Sequence, residues 1–522
     1  MDNEIRLNTN ILESINQIKS VLGENNDLII REFDFNIKKS PLKLAVLFLS
    51  GLVEEKKLET LSLELAEIKN SINSDNQKTL AAFFNKDRDS LEHFFIKLKT
   101  SLLCSSGASE GSDYDSLYSL ILSGNTVVLL DGYDKFLALN TYGPEEREIS
   151  EPTSQTIIRG PKDAFTENIA INISQIRRRI KDKSMKVENL QIGNITKTRV
   201  AVIYLDSIAK AEIIDEIKSR LSQINIDGIL DSGYIEELIK DDHHSVFPTL
   251  LNSEKPDSVV AGLLEGKVAI VVDGSPYVLT APALFVDFLQ VSEDYYHHYI
   301  VASMTRIFRV MSLFLTLLVP SMFIALTTFH HEMIPTPLLI SIAAQREGVP
   351  FPSFVQAILM ELVFEILREA GIRMPRAIGS AISIVGALVL GQAAVQAGFI
   401  AAIVVIIVSI TAISSFAIPN YSMSNAIRYL RFILMILSAA FGLYGIFIGL
   451  IVLTLHLSKL KSIGVPYLAP IAPRIANENK DTFVRFPLWK LKYRPTTAAK
   501  TKEPRTIERP AISGKKEGQE FN

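Results

Sequence analysis

One cysteine, Cys104, in 522 residues excludes an internal disulfide and any cysteine-cluster metal site. Net charge is equally scarce. With 54 basic and 57 acidic side chains the chain carries −3, and that balance indicates neither nucleic acid nor any other charged partner. No Gly-rich phosphate loop of Walker or Rossmann type occurs. No nucleophile–base or metal-ligand constellation occurs either, so neither catalysis, cofactor nor metal is expected. The histidines include three adjacent pairs, His243-His244, His297-His298 and His330-His331, and neighbours on a helix point about 100° apart rather than sharing a ligand face. The start, "MDNEIRLNTN", lacks a charged n-region followed by an apolar stretch, so no cleavable signal is expected. A large head on the cytoplasmic side is the expectation that follows.

What the chain does have is two unlike parts. Residues 1–300 carry charges throughout, 310–457 are dominated by apolar runs, and 458–522 are polar and basic. "VMSLFLTLLVPSMFIALTTF" (310–329) has twenty uncharged residues, about 30 Å of helix and one hydrocarbon thickness. Pro320 in its middle predicts a kink whose freed carbonyl needs a neighbour. Upstream, Tyr295, Tyr296 and Tyr299 suit a headgroup layer, and Arg306 and Arg309 a cytoplasmic face. Residues 377–418 form a 42-residue stretch without charge, enough for two spans that turn near 391–398. The first of that pair places Gly379, Ser383, Ala387 and Gly391 four apart, a small-residue stripe for close helix packing. A last span near 432–457 contains Gly445 and Gly449 in a GxxxG arrangement. The 14 Lys or Arg against 6 Asp or Glu in 459–522 keep the tail cytoplasmic. Two cytoplasmic ends require an even number of spans, and four is the expectation. The short link 420–431 would then lie outside although it carries Arg428 and Arg431.

The head repeats itself. "NILESINQIKSVL" (10–22) matches "NIAINISQIRRRI" (168–180), 44–65 matches 200–221, and "ILSGNTVVLLDG" (121–132) matches "LLEGKVAIVVDG" (263–274). The order is the same, and the shortened last offset is assigned to a loop at 104–116. Each unit is expected to run helix, strand, helix, short helix, strand pair. Ile213, Ile214, Ile217 and Leu221 should share one helical face. Asp131-Gly132 and Asp273-Gly274 mark turns rather than catalytic acids. Arg177-Arg178-Arg179 could bind phosphate, face solvent or join the two copies. The fold class expected is therefore a duplicated α/β soluble head followed by an α-helical polytopic membrane domain of about four spans. The domains are 1–145, 146–295, 296–457 with an amphipathic segment 354–370, and a basic cytoplasmic tail 458–522.

Inside that segment Glu361, Glu365 and Glu369 recur every fourth residue and share one helical face, with Arg368 and Arg373 placed for ion pairs. Three arrangements fit: a helix lying on the membrane surface, carboxylate belts concentrating cations at a pore mouth in an oligomer, or pairing with a partner subunit.

"RGPKDAFTENIAINISQIRRRIKD" (159–182), "PDSVVAGLLEGKVAIVVDGSPYVL" (256–279), "SEDYYHHY" (292–299), "IPTPLLISIAAQREGVPFP" (334–352) and "MELVFEILREAGIRMPRAIGSAISIVGALVLGQAAVQAG" (360–398) resemble the A subunits of GerA-type spore germinant receptors, the GerA/SpoVAF spore germination family. The resemblance covers nearly all of the chain after about residue 115. It implies a multi-pass protein of the inner membrane of the bacterial spore, acting with a transporter-like B subunit that binds the nutrient and with a lipoprotein C subunit. It further implies a homo-oligomer, with a pentamer as the expected ring, that releases monovalent cations when nutrient is sensed. On that expectation Val404, Val408, Thr411 and Ser415, along one face of 399–418, are pore or gate candidates, although ordinary helix packing gives the same pattern. The rivals are a non-conducting scaffold that transmits the signal and a paralogue that amplifies germination without a nutrient partner of its own.

Overall fold

The computed structural model describes residues 6–23, 25–37, 40–74, 88–103, 108–143, 157–373, 391–475 and 478–500, with positions 152, 155 and 505. The chain forms two compact units. The first comprises Met1–Lys240, Asn252–Pro282 and Arg494–Glu503, and the second Asp241–Leu251, Ala283–Tyr493 and Pro504–Asn522.

The first unit holds two five-stranded sheets. Its first half runs α1 (Ile11–Leu22), β1 (Leu28–Ile37), β2 (Ser40–Leu49), α2 (Glu55–Ser74), α3 (Arg88–Leu103), β3 (Ala108–Gly111), α4 (Tyr114–Leu122), β4 (Thr126–Leu130) and β5 (Phe136–Leu139). The second half runs α5 (Ile169–Arg179), β6 (Met185–Ile192), β7 (Thr198–Leu205), α6 (Ala211–Ser222), α7 (Ser232–Leu238), β8 (Leu251–Ser253), α8 (Pro256–Leu264), β9 (Val268–Val272) and β10 (Val278–Ala281). Strand orders are β1-β2-β4-β5-β3 and β6-β7-β9-β10-β8, so the same topology is built twice, with antiparallel pairing along both sheets. Each repeat contains one more strand ahead of its first matched strand, β1 or β6, than the sequence pattern indicated. The stretch 104–116, expected as a loop, contains β3. Part of the first copy's extra length lies instead in α2 and α3, which have 20 and 16 residues against 12 and 7 in α6 and α7.

Period-two alternation explains how the first sheet is covered on both faces. Ala45, Leu47 and Leu49 of β2 pack with α1 and α4, and Leu44, Val46 and Phe48 pack with α2 and α3. β4 and β9 are buried at every position. Ile213, Ile214, Ile217 and Leu221 are the buried face of α6.

The Asp-Gly turns also anchor helices. Ile11 N–H donates to Asp131 Oδ1 (3.3 Å) and Gly132 N–H to Thr9 O (2.8 Å). In the second copy Ile169 N–H donates to Asp273 Oδ1 (3.2 Å) and Gly274 N–H to Glu167 O (2.8 Å). Gly132 and Gly274 take φ of 84° and 87°, open to glycine without steric cost. Each carboxylate thus satisfies an orphan amide at a helix start. Arg177 joins the copies: its Nε and Nη2 donate to Asp27 Oδ2 and Oδ1 at 2.8 and 3.2 Å, with side chains 2% and 5% exposed. Beside it, Val187 N–H donates to Asn25 Oδ1 (2.9 Å) and Lys186 Nζ to Val21 O (3.2 Å). Of the openings left for the arginine run, Arg177 takes the contact between copies.

The second unit is helical: α9 (Tyr299–Thr328), α10 (Thr336–Arg346), α11 (Ser353–Arg373), α12 (Gly391–Gln396), α13 (Ala402–Phe416), α14 (Tyr421–Phe441) and α15 (Leu443–Lys459). Among the described residues two helices, α9 and α14, are long and apolar enough to cross a membrane; α13 and α15 are shorter apolar helices. The expectation of four spans is corrected accordingly. The span placed at 432–457 is interrupted at Gly442, which has φ 63°, and the link 420–431 is the first half of α14. Gly379, Ser383 and Ala387 lie outside the described residues. Beyond Pro320, Ser438 Oγ of α14 donates to Ser321 O (2.6 Å), a polar tie between the two longest apolar helices.

Candidate functional site

Four-residue spacing puts Glu361, Glu365 and Glu369 on one face of α11, and that face descends from the bundle interior to the surface. Their side chains are 0%, 24% and 60% exposed. Three-residue spacing on α14 brings Arg428 and Arg431 opposite. Arg431 Nη2 lies 2.7 Å from Glu361 Oε2 and 3.3 Å from Glu365 Oε1, and Arg428 Nε lies 3.5 Å from Glu365 Oε1. Arg368, one turn along, donates to Asn425 Oδ1 (3.4 Å) and sits over the Tyr421 ring at 5.5 Å. Glu369 pairs with Arg373 at 2.7 Å, an exposed pair worth a few tenths of a kcal/mol.

Arg431 is wholly buried. Its Nε and Nη1 have no hydrogen-bond partner among the described residues. A buried donor left unsatisfied costs about 1–3 kcal/mol, so this pair holds two helices together at a cost. The arginines, read from sequence as residues of an outside link, are the counter-charges of the glutamate stripe.

Next to the pair lies an apolar core shared by four helices, with Phe323 and Ile324 of α9, Ala357 of α11, Val404 and Val408 of α13 and Met435 of α14. Gln356 of α11 ties the same region: its Oε1 accepts from Ala401 N–H (2.9 Å) at the start of α13, and its Nε2 donates to Phe351 O (2.6 Å). Val404, Val408, Thr411 and Ser415 share one buried face. Thr411 Oγ1 donates to Ile407 O (2.8 Å), Ser415 Oγ to Ala412 O (2.7 Å), and Ser415 O accepts from Ser424 Oγ (3.1 Å). The face is packed within the chain's own bundle. Gly391 is buried at the start of α12, with Val405 of α13 3.7 Å from where a Cβ would stand. At Gly445 a Cβ would run into the Leu437 carbonyl, and at Gly449 into the Leu434 side chain, so α15 lies tightly on α14. Among the described residues no three His, Cys, Asp or Glu side chains converge on a metal position.

A family model described as the Bacillus/Clostridium GerA spore germination protein matches residues 16–497. Spore germination protein KA of Bacillus subtilis (strain 168) is 43% identical over 496 residues, 95% of this chain and 88% of that protein. The uncharacterized membrane protein YfkQ of the same organism is 40% identical over 497 residues, covering 95% and 93%. Spore germination protein GerLA of Bacillus cereus is 37% identical over 494 residues, covering 94% and 96%. The crystal structure of the N-terminal domain of the A subunit of the Bacillus megaterium spore germinant receptor GerK3 is 33% identical, covers 54% of this chain and 99% of that one, and superposes with a TM-score of 0.41. With a family match over most of its length and full-length relatives at such identity, the chain belongs to the GerA family of spore germination proteins.

Proposed function

We propose that this protein is the A-type membrane subunit of a nutrient germinant receptor. It assembles as a homo-oligomer in the spore inner membrane, with head and tail cytoplasmic, and gates monovalent cations in concert with B and C subunits. The observation that carries this reading is the Glu361–Arg431 pair, buried between α11 and α14. Membership of the GerA family supports the role in germination, and the buried pair supports the gate. A charge pair that holds helices together with part of its hydrogen-bonding unsatisfied is a two-state element, since a small rearrangement that hydrates it offsets the loss of contact. Glu365 and Glu369, progressively more exposed, are then the carboxylates that attract cations at a mouth once their arginine partners move away. Val404 and Val408 lie in the apolar core that this latch secures, so releasing it loosens the packing around them. The repeats, 1–145 and 146–295, serve as the assembly modules of the ring, 296–457 as the conducting part, and 458–522 as the tail.

The test is cation flux from liposomes holding the full chain, wild type against Glu361→Gln/Glu365→Gln. Conduction that loses cation selectivity in the double variant supports the reading. Absence of flux from an assembled oligomer, with and without its partner subunits, overturns it in favour of a signal-transmitting scaffold. The tight packing of Val404, Val408 and Thr411 inside the bundle is what speaks for that second reading.

A further inference from the structure

The stretch "FVRFPLWKLKY" (483–493) is placed unlike a tail. It is held by three buried residues and is otherwise exposed. Arg485, Pro487 and Leu491 are buried, while Phe483, Phe486, Leu488, Trp489, Lys490 and Lys492 are exposed. No Asp or Glu occurs from 482 to 502.

An ionic knot clamps the stretch to the first turns of α9. Arg306 reaches Asp294 and Asp481, both at 2.8 Å, and Arg309 reaches Asp294 at 2.8 Å. Arg485 Nη1 donates to the carbonyls of Asp294 (3.0 Å) and His297 (2.9 Å). Tyr295 Oη donates to Asp481 Oδ2 (2.7 Å) and lies under the guanidinium groups of Arg306 and Arg485. Ser303 Oγ of α9 donates to Arg485 O (3.0 Å), and Trp489 packs edge-on against Tyr299 at 6.1 Å. Three arginines held by two carboxylates leave the knot itself cationic, and Lys490 and Lys492 are the exposed lysines of the stretch.

The length of α9 sets the depth. Thirty residues span about 45 Å, matching a bilayer that includes both headgroup layers, about 40–45 Å. The exposed face of α9 is apolar from its first turn, at Ile300, Met304, Ile307 and Phe308. A helix of this length that crosses a bilayer carries Tyr299, and the Trp489 packed on it, at the headgroup level. An aromatic and apolar rim with lysines and no acid is the chemistry of an interfacial anchor for anionic lipid.

We propose that residues 483–493 are an interfacial foot. Phe483, Phe486, Leu488 and Trp489 enter the headgroup layer of an anionic bilayer, and Lys490 and Lys492 pair with lipid phosphates. The proposal rests on α9 crossing the membrane and is independent of ion conduction.

Trp489 is the one tryptophan of the chain, so the emission of the full-length protein reports this site alone. The protein is reconstituted in phosphatidylcholine vesicles with or without phosphatidylglycerol, and resistance to carbonate extraction establishes insertion separately. Expected is blue-shifted emission, stronger quenching by lipid brominated near the headgroup than near the chain end, weak quenching by iodide, and a larger effect with phosphatidylglycerol. Lys490→Glu/Lys492→Glu should abolish the difference between anionic and neutral vesicles while leaving carbonate resistance unchanged. Inserted protein whose Trp489 is quenched by iodide and ignored by brominated lipid overturns the foot and leaves the membrane reading standing. Trp489 shielded from both quenchers means that a second copy covers the stretch, and this overturns the foot as well. Protein stripped by carbonate removes the membrane reading and the foot with it.

Discussion

Arg431→Met is the perturbation with the largest expected effect. It removes the cation lying 2.7 Å from Glu361, where both side chains are 0% exposed. With charge centres about 4 Å apart and an effective dielectric near 20, the lost attraction is roughly 4 kcal/mol. Stranding one partner of a buried pair is known to cost about 3–5 kcal/mol. Glu361→Gln should cost less, about 2 kcal/mol, because Arg431 keeps Glu365 at 3.3 Å and so retains one counter-charge. In Glu361→Gln/Arg431→Met neither charge remains to be desolvated, so most of the loss should return, with a coupling energy of about 2–3 kcal/mol. The assay is thermal unfolding of the purified full chain in detergent. At about 2–4 °C per kcal/mol, Arg431→Met lowers the midpoint by roughly 10 °C and the double variant recovers at least half. In parallel, spores carrying Arg431→Met should leak cations without nutrient, and the double variant should leak less. Additive losses, with coupling below about 0.5 kcal/mol, would refute the view that the pair is a latch and make Arg431 an ordinary buried side chain.

Two further outcomes concern the head. Asp27→Asn leaves Arg177 buried opposite a neutral amide and should cost about 3 kcal/mol, read by hydrogen exchange that rises in β6, beside the contact between copies, and stays unchanged in β4; equal protection in β6 would show that the copies hold without the pair. Glu188 gives a pH-dependent term: burial opposes its charge, but hydrogen bonds from Lys218 (2.6 Å) and Tyr204 outweigh it, so its carboxyl sits below the ordinary value. A depressed native value stabilises the fold above the unfolded value near 4.3 and ceases to do so as pH falls through the native one. With side chains 30% and 38% exposed the term is below about 1 kcal/mol. The unfolding midpoint of Glu188→Gln should therefore lie slightly below wild type at neutral pH and merge with it in acid, and a gap that persists in acid would assign the effect to packing.

What the sequence disclosed, and what it withheld, follows the range of the forces involved. Local spacing found α1, α6 and the face of α11, because periodicity and caps act within a few residues. It found the duplication because Asn10 and Asn168 start matched helices, and the Asp-Gly pairs recur at the same place in each copy. It did not find β1 or β6, whose polar and apolar residues alternate over strands that pair with a neighbour read only in part. It also misplaced the charges of α14. Arg428 and Arg431 looked like an outside link because a hydropathy count penalises every charge equally, whereas a charge opposite a carboxylate stripe is neutralised within the bundle. The partner that makes those arginines tolerable stands about seventy residues earlier, on α11, and no window of local sequence contains both. The sign that could have joined them was present: three carboxylates at four-residue spacing and two arginines at three-residue spacing, each in an apolar helix and each unexplained alone. Two unexplained opposite charges in apolar helices are best read first as a pair. In the gate we propose, which must be stable when shut and still able to open, such a pair has physical use.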